Sequence, residues 1–220
     1  MPWGLPKFHP WVKAAAHLFA PRWTISGKYN IPRKGSVIFA PNHISDVDAP
    51  LVGLAVRWPL WYMAKRELWK FKPVVPLMNF FQAFPVDPES PDRAGLRFAE
   101  EVLERKVGLV VFPEGKISKS GELGQILPGA VQLALRSRAT VVPVGIYGSQ
   151  NIIPYGTLVP RPTLKRVHVH IGKPLDLSDL YDIPGKEARR TASHRLETAI
   201  REATAVARDR CEPKRMGEAA

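Results

Sequence analysis

The chain has a single cysteine, Cys211, in its polar C-terminal stretch. That scarcity excludes an intrachain disulfide and a zinc site built on clustered cysteines, and it fits a reducing compartment. Also lacking is any run of about 18 apolar residues, the length a helix needs to span a bilayer. The first residues show neither the basic start nor the small-residue cleavage pattern of a secretory signal, so none is expected. No fixed-period repeat or low-complexity tract interrupts the chain. Acidic residues are outnumbered: 20 Asp and Glu stand against 32 Lys and Arg, for a formal charge of +12.

A hydrophobic content of 45% over 220 residues is enough for one domain with a well-buried core, and it excludes a wholly disordered chain. The sequence pI near 10.0 favours an anionic partner: a phosphate-bearing substrate, an anionic lipid surface or nucleic acid. Charge alone does not choose among them. No aromatic motif of an RNA-binding sheet and no zinc-finger spacing accompanies it.

Near the N-terminus Phe8, Trp11, Val12, Ala15, Leu18 and Phe19 fall on helical spacing, with Lys7 and Lys13 nearby and Trp23 just beyond. Such an amphipathic helix either lies on a bilayer or covers the core of its own domain, and the spacing leaves both open. After the turn Pro32-Arg33-Lys34-Gly35, residues 36–40 read as a buried strand, 47–57 as helix and 61–65 as a second strand. Residues 73–86 carry no formal charge. They are expected to form a buried loop, a short helix and a strand from Gln82 to Val86; lining an apolar tunnel and touching lipid are the other readings.

The clearest helix is expected over 91–106, leading through Gly108 into the strand Leu109–Phe112. A helix over 128–138 and a strand over 140–147 repeat the alternation. Together they predict an α/β fold, a single domain whose mixed, mostly parallel sheet is flanked by helices, with ligand crevices at the carboxyl ends of strands. In Val167-His168-Val169-His170-Ile171 both histidines share one sheet face, and without a third ligand an exposed polar face is favoured over a metal site. Residues 185–209 read as a long basic helix with a solvated arginine face.

Two strand ends carry polar groups that a core does not need. Asn42-His43-Ile44-Ser45-Asp46-Val47-Asp48 follows the first strand, and Phe112-Pro113-Glu114-Gly115-Lys116 ends another. A carboxylate on one imidazole nitrogen fixes the tautomer and leaves the other nitrogen to take a proton from a hydroxyl. Residues five apart on a regular helix point about 140° away from each other, so His43 reaches Asp48 only if His43 sits in the loop and Asp48 opens the next helix. The plainer alternative is that Ser45, Asp46 or Asp48 merely caps that helix.

The chain resembles the glycerolipid acyltransferase family, of the lysophosphatidic acid acyltransferase type. Four blocks match in order: Asn42-His43-x4-Asp48; Phe84-Pro85-Val86-Asp87 with Arg93 downstream; Phe112-Pro113-Glu114-Gly115; and Val142-Pro143-Val144-Gly145. The resemblance implies one-step transfer of a fatty acyl group from acyl-CoA or acyl-carrier protein, as co-substrate, to a lysophospholipid hydroxyl, most simply that of 1-acylglycerol 3-phosphate. It implies His43 as general base, Asp48 as its orienting partner, and Glu114 and Gly115 as shaping the acceptor site. Asn42, Pro113 and Pro143 would support that site, and Lys65, Arg93 and Lys116 would supply charge to the substrate. No metal and no further cofactor is called for. Residues 1–26 would dock on an anionic membrane surface, 27–210 form the acyltransferase domain and 211–220 a polar tail, giving a cytoplasmic protein peripheral to the membrane.

The chain departs from the family pattern at two points. Family members often have arginine directly after the second-block aspartate, where Pro88 stands, and the third block often continues Thr-Arg-Ser where this chain has Lys116-Ile117-Ser118. Lysine is a point charge and does not fork onto two phosphate oxygens, so another lysolipid, glycolipid or lipid-linked hydroxyl stays open as acceptor. Two readings of other kinds are a serine hydrolase using Ser45, disfavoured because the Gly-x-Ser-x-Gly elbow is absent, and a non-enzymatic basic module for lipid or nucleic acid.

Overall fold

The computed structural model describes residues 9–56, 58–87, 92–157, 159–183 and 185–212. Lys7, Phe8 and the Trp11 side chain of the N-terminal apolar stripe lie outside them, as do Pro88 and the tail beyond Glu212. Helices α1 (His9–Phe19), α2 (Asp48–Val56), α3 (Val75–Phe80), α4 (Arg93–Glu104), α5 (Pro128–Ser137) and α6 (Lys186–Cys211) surround one sheet. Its strands are β1 (Trp23–Ser26), β2 (Val37–Pro41), β3 (Leu60–Lys65), β4 (Ala83–Val86), β5 (Gly108–Val110), β6 (Thr140–Tyr147) and β7 (Val167–Ile171), in the spatial order β1-β7-β6-β2-β5-β3-β4. All neighbours are parallel except β6 and β7.

Central β2 is buried along its whole length, as a continuous apolar strand covered on both faces must be. Alternate residues serve opposite layers. Ile38, Ala40, Leu109 and Val141 face a core closed by α4, α5 and α6, whereas Val37, Phe39, Val110 and Val142 face one closed by α2 and the end of α1. Because β2 to β6 run parallel, their carboxyl ends share one edge of the sheet, and the polar blocks collect there. No helix among the described residues is long and apolar enough to cross a membrane.

Two expectations are corrected. The 73–86 stretch does form a short helix and a strand, but α3 contains no buried residue, and Leu77 and Phe80 are 48% and 47% exposed. The reason is position: α3 flanks β4, the edge strand, so only one side of it meets the sheet. Nor do the two histidines of β7 form an exposed face. His168 is 3% exposed, because β1, a strand with little sequence signature, pairs with β7 and places Thr24 and Ser26 beside it. The Thr24 and Ser26 hydroxyls lie 2.7 and 2.8 Å from its two ring nitrogens, and Ser26 also reaches His170 at 2.7 Å. In α1 the stripe divides: Phe19 packs on the core, while Leu18 is 70% exposed.

Burial, aided by His170 and Arg210, pulls His168 from 6.5 down to about 4, so the folded protein holds it neutral while the unfolded chain takes up a proton. Its contribution to stability is full above pH 6.5 and is lost as pH falls from there toward 4. Between pH 7.5 and pH 5 this group is expected to remove about 2 kcal/mol, or roughly 4–8 °C in Tm. Thermal melts of His168→Gln should show a flatter pH dependence over that range. Parallel curves for variant and wild type would rule the contribution out.

Candidate active site

The β2 strand ends at Pro41, and Asn42 is held there by a reciprocal pair of bonds: its Oδ1 accepts from the Ile146 N–H at 2.7 Å and its Nδ2 donates to the Ile146 carbonyl at 3.0 Å. The side chain thus completes the ladder toward β6 where the strand has stopped. His43 follows in the loop, and Asp48 is the first residue of α2. His43 Nδ1 and Asp48 Oδ2 are 3.0 Å apart, with the aspartate side chain fully buried and the histidine 17% exposed. The same Oδ2 accepts from the Ile44 and Ser45 N–H groups at 2.7 and 2.8 Å.

Three donors therefore converge on Asp48 Oδ2, which goes beyond an ordinary helix cap. A carboxylate accepts and does not donate, so Nδ1 carries the proton and the lone pair is left on Nε2. The ring is steadied on its flat side by Phe112, with centroids 4.0 Å apart and planes 28° off parallel. In the sequence Phe112 is one residue of the third block, and its place just past the apolar run of β5 is the signal for this role.

The third block comes in from β5. Gly115 has φ of 65°, a left-handed turn that favours glycine, and its N–H is spent on the Phe112 carbonyl. Glu114 is buried, and it binds backbone: Oε1 accepts from the His43 N–H at 2.9 Å and Oε2 from the Gly124 N–H at 2.7 Å. Burial pushes its carboxyl up, opposed by those two bonds and by His43. The amides of His43, Ile44, Ser45 and Gly115 are all committed, which takes them out of contention as oxyanion donors.

Pro113 is buried, and its carbonyl accepts from the Leu127 N–H at 2.8 Å, closing the loop that contains Lys116. Pro143 lies in β6 opposite Ala40, next to the strand end. Lys116 is exposed just after β5, one strand over from β2. Lys65 ends β3, two strands over, with Glu67 at 3.9 Å, and Arg93 is exposed at the start of α4 beyond β4, three strands over.

Ser45 is not disposed as a nucleophile, since it is buried and its hydroxyl donates to the Ile153 carbonyl at 2.8 Å. Cys211 is the last residue of α6, where burial raises its thiol to about 11. The site therefore offers an oriented base and no activated nucleophile, which suits direct attack by an external hydroxyl.

Known proteins resemble the chain in sequence and in fold. The chain is 27% identical to a 1-acyl-sn-glycerol-3-phosphate acyltransferase of Bacillus subtilis over 81% of this chain and 86% of that protein. A protein of the same description from Borreliella burgdorferi is 23% identical over 72% of this chain, which spans 64% of that relative. The fold matches the crystal structure of the 1-acyl-sn-glycerophosphate (LPA) acyltransferase PlsC from Thermotoga maritima with a TM-score of 0.70 and 27% identity, covering 92% of this chain and 79% of that one. The family model described as Acyltransferase matches residues 22–147, more than half the chain and all four sequence blocks; the protein belongs to the acyltransferase family and is an acyltransferase enzyme.

Proposed function

We propose that this enzyme transfers a fatty acyl group from acyl-CoA or acyl-carrier protein to the free hydroxyl of 1-acylglycerol 3-phosphate, giving phosphatidic acid. The observation that carries the reading is the 3.0 Å contact between His43 Nδ1 and Asp48 Oδ2, which leaves Nε2 as the proton acceptor. Nε2 takes the hydroxyl proton as that oxygen bonds to the thioester carbonyl carbon. Collapse of the tetrahedral intermediate breaks the carbon–sulfur bond, and the imidazolium returns the proton to the departing thiolate. Asp48 stabilises the imidazolium in between. No cofactor is required beyond the acyl donor as co-substrate.

The choice of acceptor is supported by the relatives, which are described as 1-acyl-sn-glycerol-3-phosphate acyltransferases, and by the cations of the carboxyl edge. Lys116 lies between Glu114 and Ser118, both bonded to the His43 main chain, so it is assigned the acceptor phosphate, with Lys65 and Arg93 for phosphates of acceptor or donor. In the Lys116→Ala variant the acceptor KM is expected to rise about tenfold, with the donor KM little changed. An unaltered acceptor KM would mean that this cation is only solvated.

A peripheral position on an anionic bilayer is part of the reading. The exposed Leu18, Leu77 and Phe80 belong to α1 and α3, with Lys70 and Lys72 exposed just before α3. The test is one incubation with phosphatidylglycerol vesicles carrying a panel of lysolipids and each acyl donor, read by mass spectrometry of the lipid and by cosedimentation of the protein. Acylation of 1-acylglycerol 3-phosphate above the other acceptors, with the protein in the pellet, is expected. Free fatty acid as the sole product, or preference for a different acceptor, would reject the assignment.

A further inference from the structure

We infer that Glu114 is a positioning residue for the base and not a contact for the acceptor. The inference rests on the assignment of His43 as base. The His43 peptide is gripped on both sides by one segment: its N–H donates to Glu114 Oε1 at 2.9 Å and its carbonyl accepts from the Ser118 N–H at 2.7 Å. The other carboxylate oxygen, Oε2, is tied to the Gly124 N–H at 2.7 Å, which fixes the carboxylate from behind. Both oxygens point at backbone, and the residue as a whole is 4% exposed, so little of it is presented to a substrate.

The chemistry of the side chain fits this duty. Two N–H donors converge on it, and only an acceptor-only group satisfies both; an amide would aim its NH2 at one of the two donors and leave that donor unpaired in a buried place. Asp48 fixes the far end of the imidazole, while Glu114 and Ser118 fix the main chain from which it projects. Displacement of a reacting group by about 1 Å costs on the order of 10²-fold in rate, so the main-chain anchor acts on turnover. Lys116 lies between Glu114 and Ser118 in the chain, which places acceptor capture and base alignment on a single loop.

The experiment is steady-state kinetics on Glu114→Gln, Gly124→Ala and His43→Ala, each compared with wild type by thermal melting. Glu114→Gln is expected to lower kcat about 10²-fold with the acceptor KM within about twofold. A rise in acceptor KM as large as the fall in kcat would put the carboxylate on the acceptor and overturn the inference, and so would an unchanged kcat. Should Glu114→Gln fail to fold, Gly124→Ala decides. A Cβ there would lie 3.0 Å from Glu114 Oε2, enough to shift the carboxylate by a few tenths of an ångström. Its kcat should drop by roughly tenfold at constant acceptor KM, and a wild-type kcat would overturn the inference. His43→Ala separates the two levels: normal turnover there removes the base assignment itself, whereas an inactive His43→Ala beside a fully active Glu114→Gln removes only the positioning role. In the His43→Ala background Glu114→Gln should cost nothing more, because the group it aligns is gone.

Discussion

Replacing His43 with alanine is expected to cut kcat/KM by about 10²–10⁴-fold, the usual worth of a positioned general base, while the protein stays folded. The local cost is modest. The substitution removes one stacked ring pair with Phe112, worth about 0.5–1.5 kcal/mol against a typical domain stability of 5–15 kcal/mol. Asp48 is buried and loses its imidazole partner, but the Ile44 and Ser45 amides still donate to the same oxygen, so the carboxylate is not orphaned. Labelled acyl transfer measured beside a circular-dichroism melt checks both halves. A folded variant with turnover within a few fold of wild type would falsify the assignment of the base.

Most of the parallel sheet was readable because its strands are buried on both faces and therefore appear as short apolar runs closed by proline, glycine or charge. Thr140–Tyr147 and the helix after Asp92 have the expected limits to within a residue or two. The helix begins where Asp92 accepts from the Gly95 N–H at 2.8 Å. Strand β1 was not legible. It is four residues long, and what makes it a strand is the match of Thr24 and Ser26 to the imidazoles of β7, across 144 and 142 residues of sequence. The exposure of α3 was equally hidden, since an apolar run reports hydrophobicity and not whether a neighbour covers it.

At the candidate site the spacing of His43 and Asp48 demanded a loop residue and a helix-opening residue, and both are found in those places. The order of the blocks brought Glu114 near the histidine but could not say which of its faces would meet which group. That depends on a contact across 71 residues with a main-chain amide, and an amide has no signature in the sequence. The placing of Lys65, Arg93 and Lys116 follows a similar logic: they fall at or after the ends of three different strands, β3, β4 and β5, whereas residue type alone made them equivalent cations.

Gly145→Ala is expected to damage the fold severely, because the last residue of the fourth block has backbone where a side chain would go. A Cβ at this position in β6 would lie 2.1 Å from the backbone carbon and oxygen of Ala203 and 2.4 Å from the Thr204 nitrogen. Main-chain atoms inside a helix have no rotamer by which to retreat, so α6 as a whole must lift from the sheet. That loosens the layer holding Ile200, Ala203 and Ala207, all buried under it, and strains the bonds between Asn42 and neighbouring Ile146 that end β2 beside His43. Overpacking against a rigid neighbour of this kind is expected to cost about 3 kcal/mol or more. For a domain of this size that is a fall of roughly 6–12 °C in Tm. Gly129→Ala is the matched control: it adds the same methyl at a glycine in α5 with nothing within 4 Å, and should move stability by no more than about 0.5 kcal/mol. If the two alanine variants melt together, the close approach of α6 to β6 is wrong; if only Gly145→Ala melts early, the glycine of the fourth block is there to let the C-terminal helix seat against the strand that anchors the loop of His43.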